Sequence, residues 1–409
     1  MSWQEYSIEE VCELIVDCVN RTAPVVDYET PYKMIRTSNV RDGWIDMSDA
    51  RNVTKDVYEL WTRRAVPRQG DVVLTREAPL GEVGLIRADE PVFLGQRTVM
   101  YRANPEKMLP HFLYYSLLSH EVQAQIKAFG FGSTVSHMRV PDAKKLQLKA
   151  PDTATQEKII YVMDAYDTMI EANQRRIQLL EEASMILYRE WFVKLRFPGH
   201  ETAQVADHVP DGWSRQPLSA LADVIMGQSP ESKHFNEDGE GLPFHQGVSD
   251  FGDRFVTHST FSTHATRIAM PGDILCSVRA PVGRLNVSHD KIVIGRGLSA
   301  IRSKTGTQSL LFYQLKNLFF QEDLIGGGAI FASVGKKELF GQELLQPSEE
   351  VASAFEKFAS GVDQQMAALT LQVCRLQEAR DMLLPKLMSG TMDVSRIVVP
   401  KDIAIENLG

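Results

Sequence analysis

Residues 153–196 read TATQEKIIYVMDAYDTMIEANQRRIQLLEEASMILYREWFVKLR. Mostly apolar residues recur every seven positions along this stretch, with a second series between them, so the pattern predicts one long helix with an apolar seam. Pro151 precedes the stretch, and Thr153 and Gln156 have the spacing of a capping box. About forty residues at 1.5 Å each would form a rod of roughly 60 Å. The two series are Met163, Ile170, Ile177, Ser184 and Trp191, and Tyr166, Asn173, Leu180 and Leu187.

A second stretch, near the other end of the sequence, has the same pattern. It follows Pro347 and Ser348, has Glu349 and Glu350 in its first turn, where acids favour the helix dipole, and should end or kink at Pro385. We expect the two helices to pair along these seams, with polar seam residues that fix the register. The alternative is that both are core helices of one large domain. The second seam comprises Phe355, Val362, Leu369, Leu376 and Leu383, with Phe358, Gln365, Gln372 and Ala379 between them.

The segments before the two helices share a sequence frame. Residues 70–81, GDVVLTREAPLG, align without a gap on residues 272–283, GDILCSVRAPVG, and Gly95-Gln-Arg97 matches Gly295-Arg-Gly297. Gly-Asp is typical of a tight turn into a strand, and Ala-Pro-x-Gly of a rigid loop that leaves it. A repeat of this length is too long for a solenoid. It predicts a duplicated unit of globule plus long helix, with the two globules related by a pseudo-twofold axis.

The predicted fold class is α+β, with two mixed, mainly β globules separated by two long helices. Short runs such as Tyr32 to Val40 and Val72 to Thr75, punctuated by Gly, Pro and Asp, predict strands, whereas Leu109 to Ile126 is predicted to be helical. The predicted domains are a globule at 1–150, a helix at 151–196, a linker at 197–212, a second globule at 213–346, a helix at 347–390 and a C-terminal tail at 391–409.

Composition limits the class of protein. The 409 residues are 44% hydrophobic and 24% charged, which is typical of a soluble chain of two or three domains. We expect no membrane span and no secretion signal, because long apolar runs and a basic apolar leader are missing. The four cysteines form no CxxC pair, which argues against disulfides and zinc and favours a reducing cytoplasm. With a net charge of -9, DNA binding would need local basic clusters and help from partners.

Catalytic signatures are absent. The nearest match to an Asn-Pro-Pro-Tyr methyltransferase motif is residues 104–106, Asn-Pro-Glu, which has an acid where stacking is needed. Residues 335–336, Gly-Lys, lack the earlier glycine of a P-loop. Residues 141–149 contain the residue types of a nuclease triad, but these residues lie too close together in the sequence. We therefore predict a chain that is not an enzyme by itself.

Polar side chains in the predicted loops are the candidates for DNA contact. Arginine reads guanine, and asparagine or glutamine reads adenine in the major groove, while serine, threonine and lysine mostly hold phosphates. A solvated loop residue or a structural hydrogen bond is the alternative for each of them. The candidates are Arg36, Ser38, Asn39, Arg41, Arg76, Arg97, Thr134, Ser136 and His137 in the first globule, and His245, Gln246, Arg279, Arg296, Ser333, Lys336 and Lys337 in the second.

With these features, the chain closely resembles the specificity subunits of type I restriction-modification systems over nearly its full length. Each motif alone is weak evidence. The motifs occur in the same order twice, each time followed by a long helix, and this arrangement is specific. The second copy departs by having Val278-Arg279 where the first has Arg76-Glu77. The motifs are Ile35-Arg-Thr-Ser-Asn39 with Asp42-Gly43, the blocks at 70–81 and 272–283, Gly95-Gln-Arg-Thr98, Trp191-Phe-Val-Lys-Leu-Arg-Phe-Pro-Gly199, Pro210-Asp-Gly-Trp213 and Leu383-Leu-Pro-Lys-Leu-Met-Ser-Gly390.

The resemblance implies two target-recognition domains that read the halves of a split, asymmetric target in double-stranded DNA. It implies that the two long helices form an antiparallel coiled coil that acts as the spacer. It also implies two methylation subunits, which bring S-adenosylmethionine and methylate adenine N6, and two restriction subunits, which use ATP and Mg. No cofactor or metal is then expected on this chain. The outward helix faces, with Trp191 and Phe192, are candidates for contact with the methylation subunits. The alternative is a coiled-coil scaffold that recruits proteins without binding DNA.

Overall fold

The computed structural model describes residues 3–130, 136–325 and 334–400. The chain divides into two compact units, the first formed by Met1–Met169 with Arg375–Gly409 and the second by Ile170–Cys374. Both boundaries fall inside the long helices, so each unit contains a β-rich globule and part of each helix. The fold class is α+β, as predicted.

The first unit is built on a four-stranded antiparallel sheet. Its buried strand Val72–Arg76 lies between Leu80–Leu85 and Thr98–Ala103, and Cys12–Asp17 lies beyond Thr98–Ala103. Gly70 has a φ of 86°, so the Gly-Asp turn into the buried strand uses the left-handed conformation that glycine permits. The smaller sheets join Gln4–Ser7 with Gln147–Ala150, Lys33–Ile35 with Arg51–Asn52 and Val92–Leu94, and Val40–Arg41 with Trp44–Ile45.

The second unit repeats this arrangement. Its antiparallel four-stranded sheet has the order Ala222–Met226, Leu298–Ser303, Ile274–Ser277 and Leu285–Val287, and Gly272 has a φ of 87°. The duplication predicted from sequence is therefore a duplication of structure. The smaller sheets join Ser214–Pro217 with Glu343–Gln346, Val205–Ala206 with Val209–Pro210, and, in the order given, Phe235–Asn236, Phe261–Ser262, Leu242–His245, Ile292–Ile294 and Ile268–Ala269.

Short helices complete both globules. The segment 109–126, predicted as one helix, is broken because Ser119 has extended backbone and its side chain caps a second helix. The segment 32–40, predicted as a strand, is likewise interrupted by a 3-10 turn. The helices are Ile8–Val11, Lys55–Trp61, Pro110–Leu118, His120–Phe129 and Val140–Ala143 in the first unit and Leu218–Leu221, Gln308–Ile325 and Lys336–Phe340 in the second, with 3-10 turns at Thr37–Asn39, His200–Thr202 and Ser232–His234.

The two long helices differ in extent from the prediction. The first spans Thr153–Tyr188 and is followed by a π-helical turn at Arg189–Val193, so its α-helical part ends before residue 196. The second spans Glu349–Met388 and therefore does not end at Pro385. Pro385 removes one backbone donor, and the helical pattern continues beyond it, since the N–H of Ser389 donates to the Pro385 carbonyl at 3.0 Å.

The start of the first long helix is capped by Asp152 and not by Thr153. The Asp152 carboxylate accepts the backbone N–H of Thr155 at 2.9 Å, which satisfies one of the free donors of the first turn. Gln156 turns into the globule instead, where its Oε1 accepts the N–H of Leu109 at 2.9 Å. The predicted capping box is therefore wrong, although the predicted start of the helix is correct.

The buried seam of the second long helix differs from the prediction in one of its two series. Phe355 and Val362 are buried, as predicted, but Phe358 is 42% exposed. The alternate buried positions lie one residue later, at Ala359 and Met366. Residues three and four positions apart both lie on the same face of a helix. The spacing alone therefore could not decide whether Phe358 or Ala359 is buried beside Phe355. In the first helix, the series Met163, Ile170, Ile177 and Ser184 is buried as predicted.

Within the first unit the two helices run antiparallel. The Arg380 guanidinium donates to the Asp167 carboxylate at 3.1 Å. Earlier in the first helix, the Lys158 ammonium donates to the carbonyl of Ser395, beyond the end of the second helix, at 2.8 Å. Rising residue numbers in one helix therefore meet falling numbers in the other.

The helix segments of the second unit are antiparallel too. The buried Asn173 amide donates to the Gln372 side chain at 3.4 Å, and Ile177 packs with Val362 and Met366. The pairing predicted from the two seams is thus confirmed, in the antiparallel orientation that the resemblance implies, and the polar seam residue Asn173 bonds across the pair.

Each unit has its own apolar core. In the first, buried Tyr101 and Phe112 of the globule pack with Ile160 and Met163 of the first helix and Leu387 of the second. In the second, the core includes Tyr313, Phe355 and Trp213. Residues 197–212, predicted as a linker, contain a short hairpin, and Phe197 packs on the Trp213 ring with centroids 4.7 Å apart.

Candidate nucleic-acid interface

In the first unit, three loops meet at the end of the buried strand Val72–Arg76. The backbone N–H of Arg76 donates to the Arg97 carbonyl at 2.7 Å, and the N–H of Met138 donates to the Arg76 carbonyl at 2.9 Å. Ala78 and Arg97 have φ values of 49° and 68°, so both loops turn through the left-handed region. These contacts bring the predicted residues Arg76, Arg97 and His137 into one cluster.

Glu77 also belongs to this cluster, although its residue type did not mark it as a candidate in the sequence. Its Oε2 lies 3.2 Å from Nδ1 of His137 and 3.5 Å from Nε of Arg97. The Arg97 side chain is 53% exposed, and Ser136 is exposed beside His137. Glu77 therefore offsets part of the positive charge that this surface presents. The signal that could have found it is its place in the repeated block, opposite Arg279.

Arg76 itself is a structural residue. Its side chain is buried and its Nη1 donates to the Met138 carbonyl at 3.1 Å. At the matching place in the second unit, Val278 is buried, and its N–H donates to the Gly297 carbonyl at 2.9 Å. This position faces the interior in both units, so the predicted DNA contact of Arg76 is wrong.

The segment 36–41 combines structural and exposed residues. Arg36 donates to the carbonyl and the carboxylate of Asp49, each at 2.9 Å, so this arginine ties down a loop. Asn39 is 1% exposed, and its amide donates to the Asp49 carboxylate and the Asp46 carbonyl. A buried amide with these partners cannot read adenine, so the prediction for Asn39 is wrong. The predicted residues that stay exposed here are Ser38 and Arg41.

In the second unit, the corresponding loops bring Gln246 and Arg296 together. The Ser229 hydroxyl donates to Oε1 of Gln246 at 2.7 Å and accepts the backbone N–H of Arg296 at 3.2 Å. A Cβ on Gly297 would lie 2.4 Å from the Gln246 carbonyl, so this close approach requires glycine. Both Gln246 and Arg296 are exposed.

Three further cationic residues belong to this surface. The N–H of Val334 donates to the Val278 carbonyl at 2.9 Å, as Met138 does to Arg76 in the first unit. This bond brings the start of the helix Lys336–Phe340 next to the loop that follows Val278. The exposed cations there are Arg279, Lys336 and Lys337.

His245 is buried beneath this surface, so its predicted DNA contact is wrong. Its Nε2 hydrogen bonds with Nδ1 of His258 at 3.0 Å, and its Nδ1 lies 3.7 Å from the Asp250 carboxylate. Burial, followed by the neighbouring His258, lowers the pKa of His245 to about 4, so the imidazole is neutral at pH 7. His245 supports the adjacent Gln246 from below and does not face a ligand.

The aromatic residues predicted for partner contact are part of the second core. Phe192 is 5% exposed and its ring centroid lies 5.1 Å from that of Phe355 and 5.8 Å from that of Trp213. A partner could not reach Phe192 without opening this core, so the prediction for Phe192 is corrected to a packing role. Trp191 is half-buried against Phe355.

The remaining candidates, Thr134 and Ser333, lie outside the described residues. Across residues 3–130, 136–325 and 334–400, no group of three or more His, Cys, Asp or Glu side chains is placed to hold a metal ion. In the same part of the chain, no helix is both long and apolar enough to cross a membrane.

Known proteins resemble this chain in sequence. A family model described as the type I restriction modification DNA specificity domain matches residues 1–182. The chain is 26% identical to the putative type I restriction enzyme MjaX specificity subunit of Methanocaldococcus jannaschii, over 96% of this chain and 94% of that protein. It is 23% identical to the type I restriction enzyme HindI specificity subunit of Haemophilus influenzae, over 70% of this chain and 78% of that protein.

A solved structure shares the fold. The crystal structure of a type I restriction-modification system S subunit from M. genitalium aligns with a TM-score of 0.56 at 16% identity, over 94% of this chain and 96% of that one. The matches in sequence and the duplicated fold agree. Residues 1–182 thus match the type I restriction modification DNA specificity domain, and over nearly its whole length the chain is similar to a type I restriction enzyme specificity subunit.

Proposed function

We propose that this chain is the DNA sequence-recognition subunit of a type I restriction-modification complex and that it reads an asymmetric target in two halves. The observation that carries the proposal is the cluster of loops repeated at the ends of Val72–Arg76 and Ile274–Ser277. The frame is the same in both units, whereas the side chains on it differ. The place of Glu77 is taken by Arg279. Two unlike surfaces on one frame suit two different half-sites.

The exposed side chains have the chemistry of DNA recognition. Arginine forks match O6 and N7 of guanine, and the Gln246 amide matches adenine in the major groove. Because the chain as a whole carries a net charge of -9, affinity must come from such local groups and from partner subunits. The proposed contacts are Ser38, Arg41, Arg97, Ser136 and His137 in the first unit and Gln246, Arg279, Arg296, Lys336 and Lys337 in the second.

We further propose that the helix pair separates the two readers and binds the methylation subunits through its outward faces. Several large apolar side chains of the two helices are exposed, and we assign them to the surface that the methylation subunits would cover. Two methylation subunits would bring S-adenosylmethionine and extrude adenine from the duplex for N6 methylation, and two restriction subunits would bring ATP and Mg. This chain would supply no catalytic group and act in the cytoplasm. The exposed apolar residues are Met169, Leu179, Ile186, Phe358, Leu371 and Met382.

The proposal is tested by mapping N6-methyladenine across a bacterial genome by single-molecule sequencing. The chain is expressed with the methylation subunit of its own system, and the control is that subunit alone. We expect a new split, asymmetric motif that depends on the chain. A stable complex of the two proteins that gives no motif would contradict the proposal and favour a scaffold that does not read DNA.

Exchange of the two globules provides the second test. If residues 1–150 and 213–346 each read one half-site, exchanging them should exchange the order of the half-sites in the motif. A scaffold that never touches DNA predicts no such exchange, because its globules carry no sequence information.

A further inference from the structure

A buried carboxylate of the first long helix holds the first globule. Asp167 is 0% exposed, although it lies in the middle of a helix. Its Oδ2 accepts from Nη2 of Arg87 at 3.2 Å and from the Tyr115 hydroxyl at 2.8 Å, both on the globule. Its Oδ1 accepts from Arg380 of the second helix at 3.1 Å. One carboxylate therefore joins the globule to both long helices.

The same arginine supports a hairpin of the candidate DNA interface. The Arg87 guanidinium lies 4.4 Å above the Trp44 ring, within range of a cation–π contact. Trp44 pairs with Arg41, which is exposed next to the hairpin turn. The Tyr114 hydroxyl fixes that turn by donating to the Gly43 carbonyl at 2.8 Å. The position of Arg41 thus depends on a chain of contacts that ends at Asp167.

The second unit contains a corresponding network, in which other residues connect the globule to both long helices. Asp363 of the second long helix accepts from Nη2 of Arg254 at 2.6 Å, and Glu181 of the first helix lies 3.5 Å from Nη1 of Arg254. Arg254 is 3% exposed, and its guanidinium lies 3.3 Å above the Phe312 ring. The segment that carries Arg254 is closed by a bridge between Phe251 and Val256.

The carboxylates of the two networks lie at corresponding positions of their helices. Asp167 follows Thr153, the first residue of its helix, by 14 positions (167 − 153), and Asp363 follows Glu349 by the same number (363 − 349). At 1.5 Å per residue, each carboxylate lies roughly 20 Å along the helix from the point where the globule joins it. The hairpins also correspond, because Gly43 and Phe255 each form a parallel bridge to the edge strand of their own unit.

The arginines, however, come from different parts of the two units. Arg87 follows the edge strand Leu80–Leu85, whereas Arg254 lies in the hairpin itself. At the place of Arg87, the second unit has His289, whose ring stacks on Phe255 at 3.8 Å between centroids. In both units, therefore, a guanidinium links a hairpin of the globule to a carboxylate of a long helix, although the two arginines come from unrelated stretches of sequence.

We propose that Asp167 and Asp363 are positioning residues for DNA recognition, each fixing the orientation of one globule, through its hairpin, relative to the long helices. A globule attached only where the helix begins could rock about that point. A second attachment, made through a buried arginine roughly 20 Å further along the helix, removes this freedom, because an unpaired guanidinium in the interior would be costly. The inference rests on the proposed function, since it assigns each carboxylate to one half-site.

The test compares Asp167→Asn and Asp363→Asn, each expressed in the full chain with the methylation subunit, by genome-wide mapping of N6-methyladenine. For each position of the motif, the ratio of methylation at the correct site to that at sites with one mismatch is measured. We expect Asp167→Asn to lower this ratio about tenfold in one half-site only, and Asp363→Asn to do so in the other half-site only. A general loss of stability would lower methylation at all sites without this division.

Asp164→Asn is the matched control. Asp164 lies on the same helix one turn earlier and also bonds to the globule, through the Tyr115 hydroxyl at 2.7 Å and His111 at 2.9 Å. It bonds to neither Arg87 nor Arg380 among the described residues, so its removal should leave discrimination in both half-sites within about twofold of the unaltered chain.

The outcomes separate this inference from the proposed function. If the unaltered chain gives no motif, the proposed function fails. If it gives a motif, but both Asn variants relax the same half-site, relax neither, or lose methylation uniformly, only the inference is overturned. Should an Asn variant not copurify with the methylation subunit, Arg87→Lys and Arg254→Lys, which keep the charge but lose the planar group, are judged by the same criteria.

Discussion

Asp71 and Arg102 are joined by two parallel hydrogen bonds of 2.8 and 2.7 Å, and Asp273 and Arg302 form the same pair in the second unit, at 2.7 and 2.9 Å. Asp71 also accepts the backbone N–H of Arg68 at 2.9 Å, so the carboxylate closes the turn before the buried strand. The repeated Gly-Asp motif therefore ties each turn to the strand beside it.

We expect Asp71→Ala to lower the free energy of unfolding by about 3 kcal/mol, because it leaves a largely buried arginine without its partner. Asp273→Ala should cost about half as much, since the Arg302 side chain is 50% exposed and water can replace the lost contact, whereas that of Arg102 is 16% exposed. Urea unfolding measures both values. The control is Asp56→Ala, at an exposed position, and equal costs for Asp71 and Asp273 would contradict this account.

The stability of the second unit should fall as the pH is lowered from 7 to 5. The pKa of His245 is lowered to about 4, so the unfolded chain, with an ordinary histidine pKa near 6.5, binds more protons in this range. The loss from this residue should be about 2 kcal/mol at pH 5. Urea unfolding of the unaltered chain and of His245→Asn, each at pH 7 and pH 5, isolates it. The two proteins should differ in their pH dependence, and identical slopes would show that folding does not lower the pKa of His245.

Exposed arginines and lysines should have distinct effects on DNA binding. Arg97→Ala should relax specificity at one base pair of the half-site read by the first unit and weaken binding by about 1–3 kcal/mol. The double variant Lys336→Ala and Lys337→Ala should weaken binding to all sequences alike and reduce the slope of log affinity against log salt by about two. Both are measured by titrating the complex with its methylation subunit against labelled duplexes. Base-specific loss in the lysine variant would reverse this assignment.

The length of the helix pair should set the spacer between the half-sites. One heptad inserted after Met169 and one after Cys374 would lengthen both helices at the unit boundaries without changing the contacts inside either unit. Seven residues add roughly 10 Å, which corresponds to about three base pairs. The methylated motif should keep both half-sites, and the spacer between them should become longer by this amount. An altered half-site with an unchanged spacer would show that the helices do not act as a ruler.

The sequence predicted the fold where local patterns are strong. The heptad series from Met163 to Ser184 and the block repeated at Gly70 and Gly272 both have direct physical causes, namely one buried helix face and one tight turn. The prediction failed where two solutions share one pattern. Phe358 and Ala359 lie at acceptable spacings from Phe355, and only packing against the other helix buries Ala359.

The candidate site was less predictable than the fold. Residue type identified Arg97, Gln246 and Arg296 as exposed polar groups, but the same criterion selected Asn39 and His245, which are buried. Whether a polar side chain faces solvent or satisfies a loop depends on residues distant in sequence, as with His245 and its neighbour His258.

Taken by itself, the sequence determined the duplicated plan, the two long helices and their pairing, because periodicity and repetition can be read directly from the order of residues. Only the tertiary structure decided which charged groups share a site. Asp167 meets Arg87 and Arg380, and Asp363 meets Arg254, across separations of 80 to 213 residues. Such pairs follow from where the folded chain brings its segments together, and no local pattern records that.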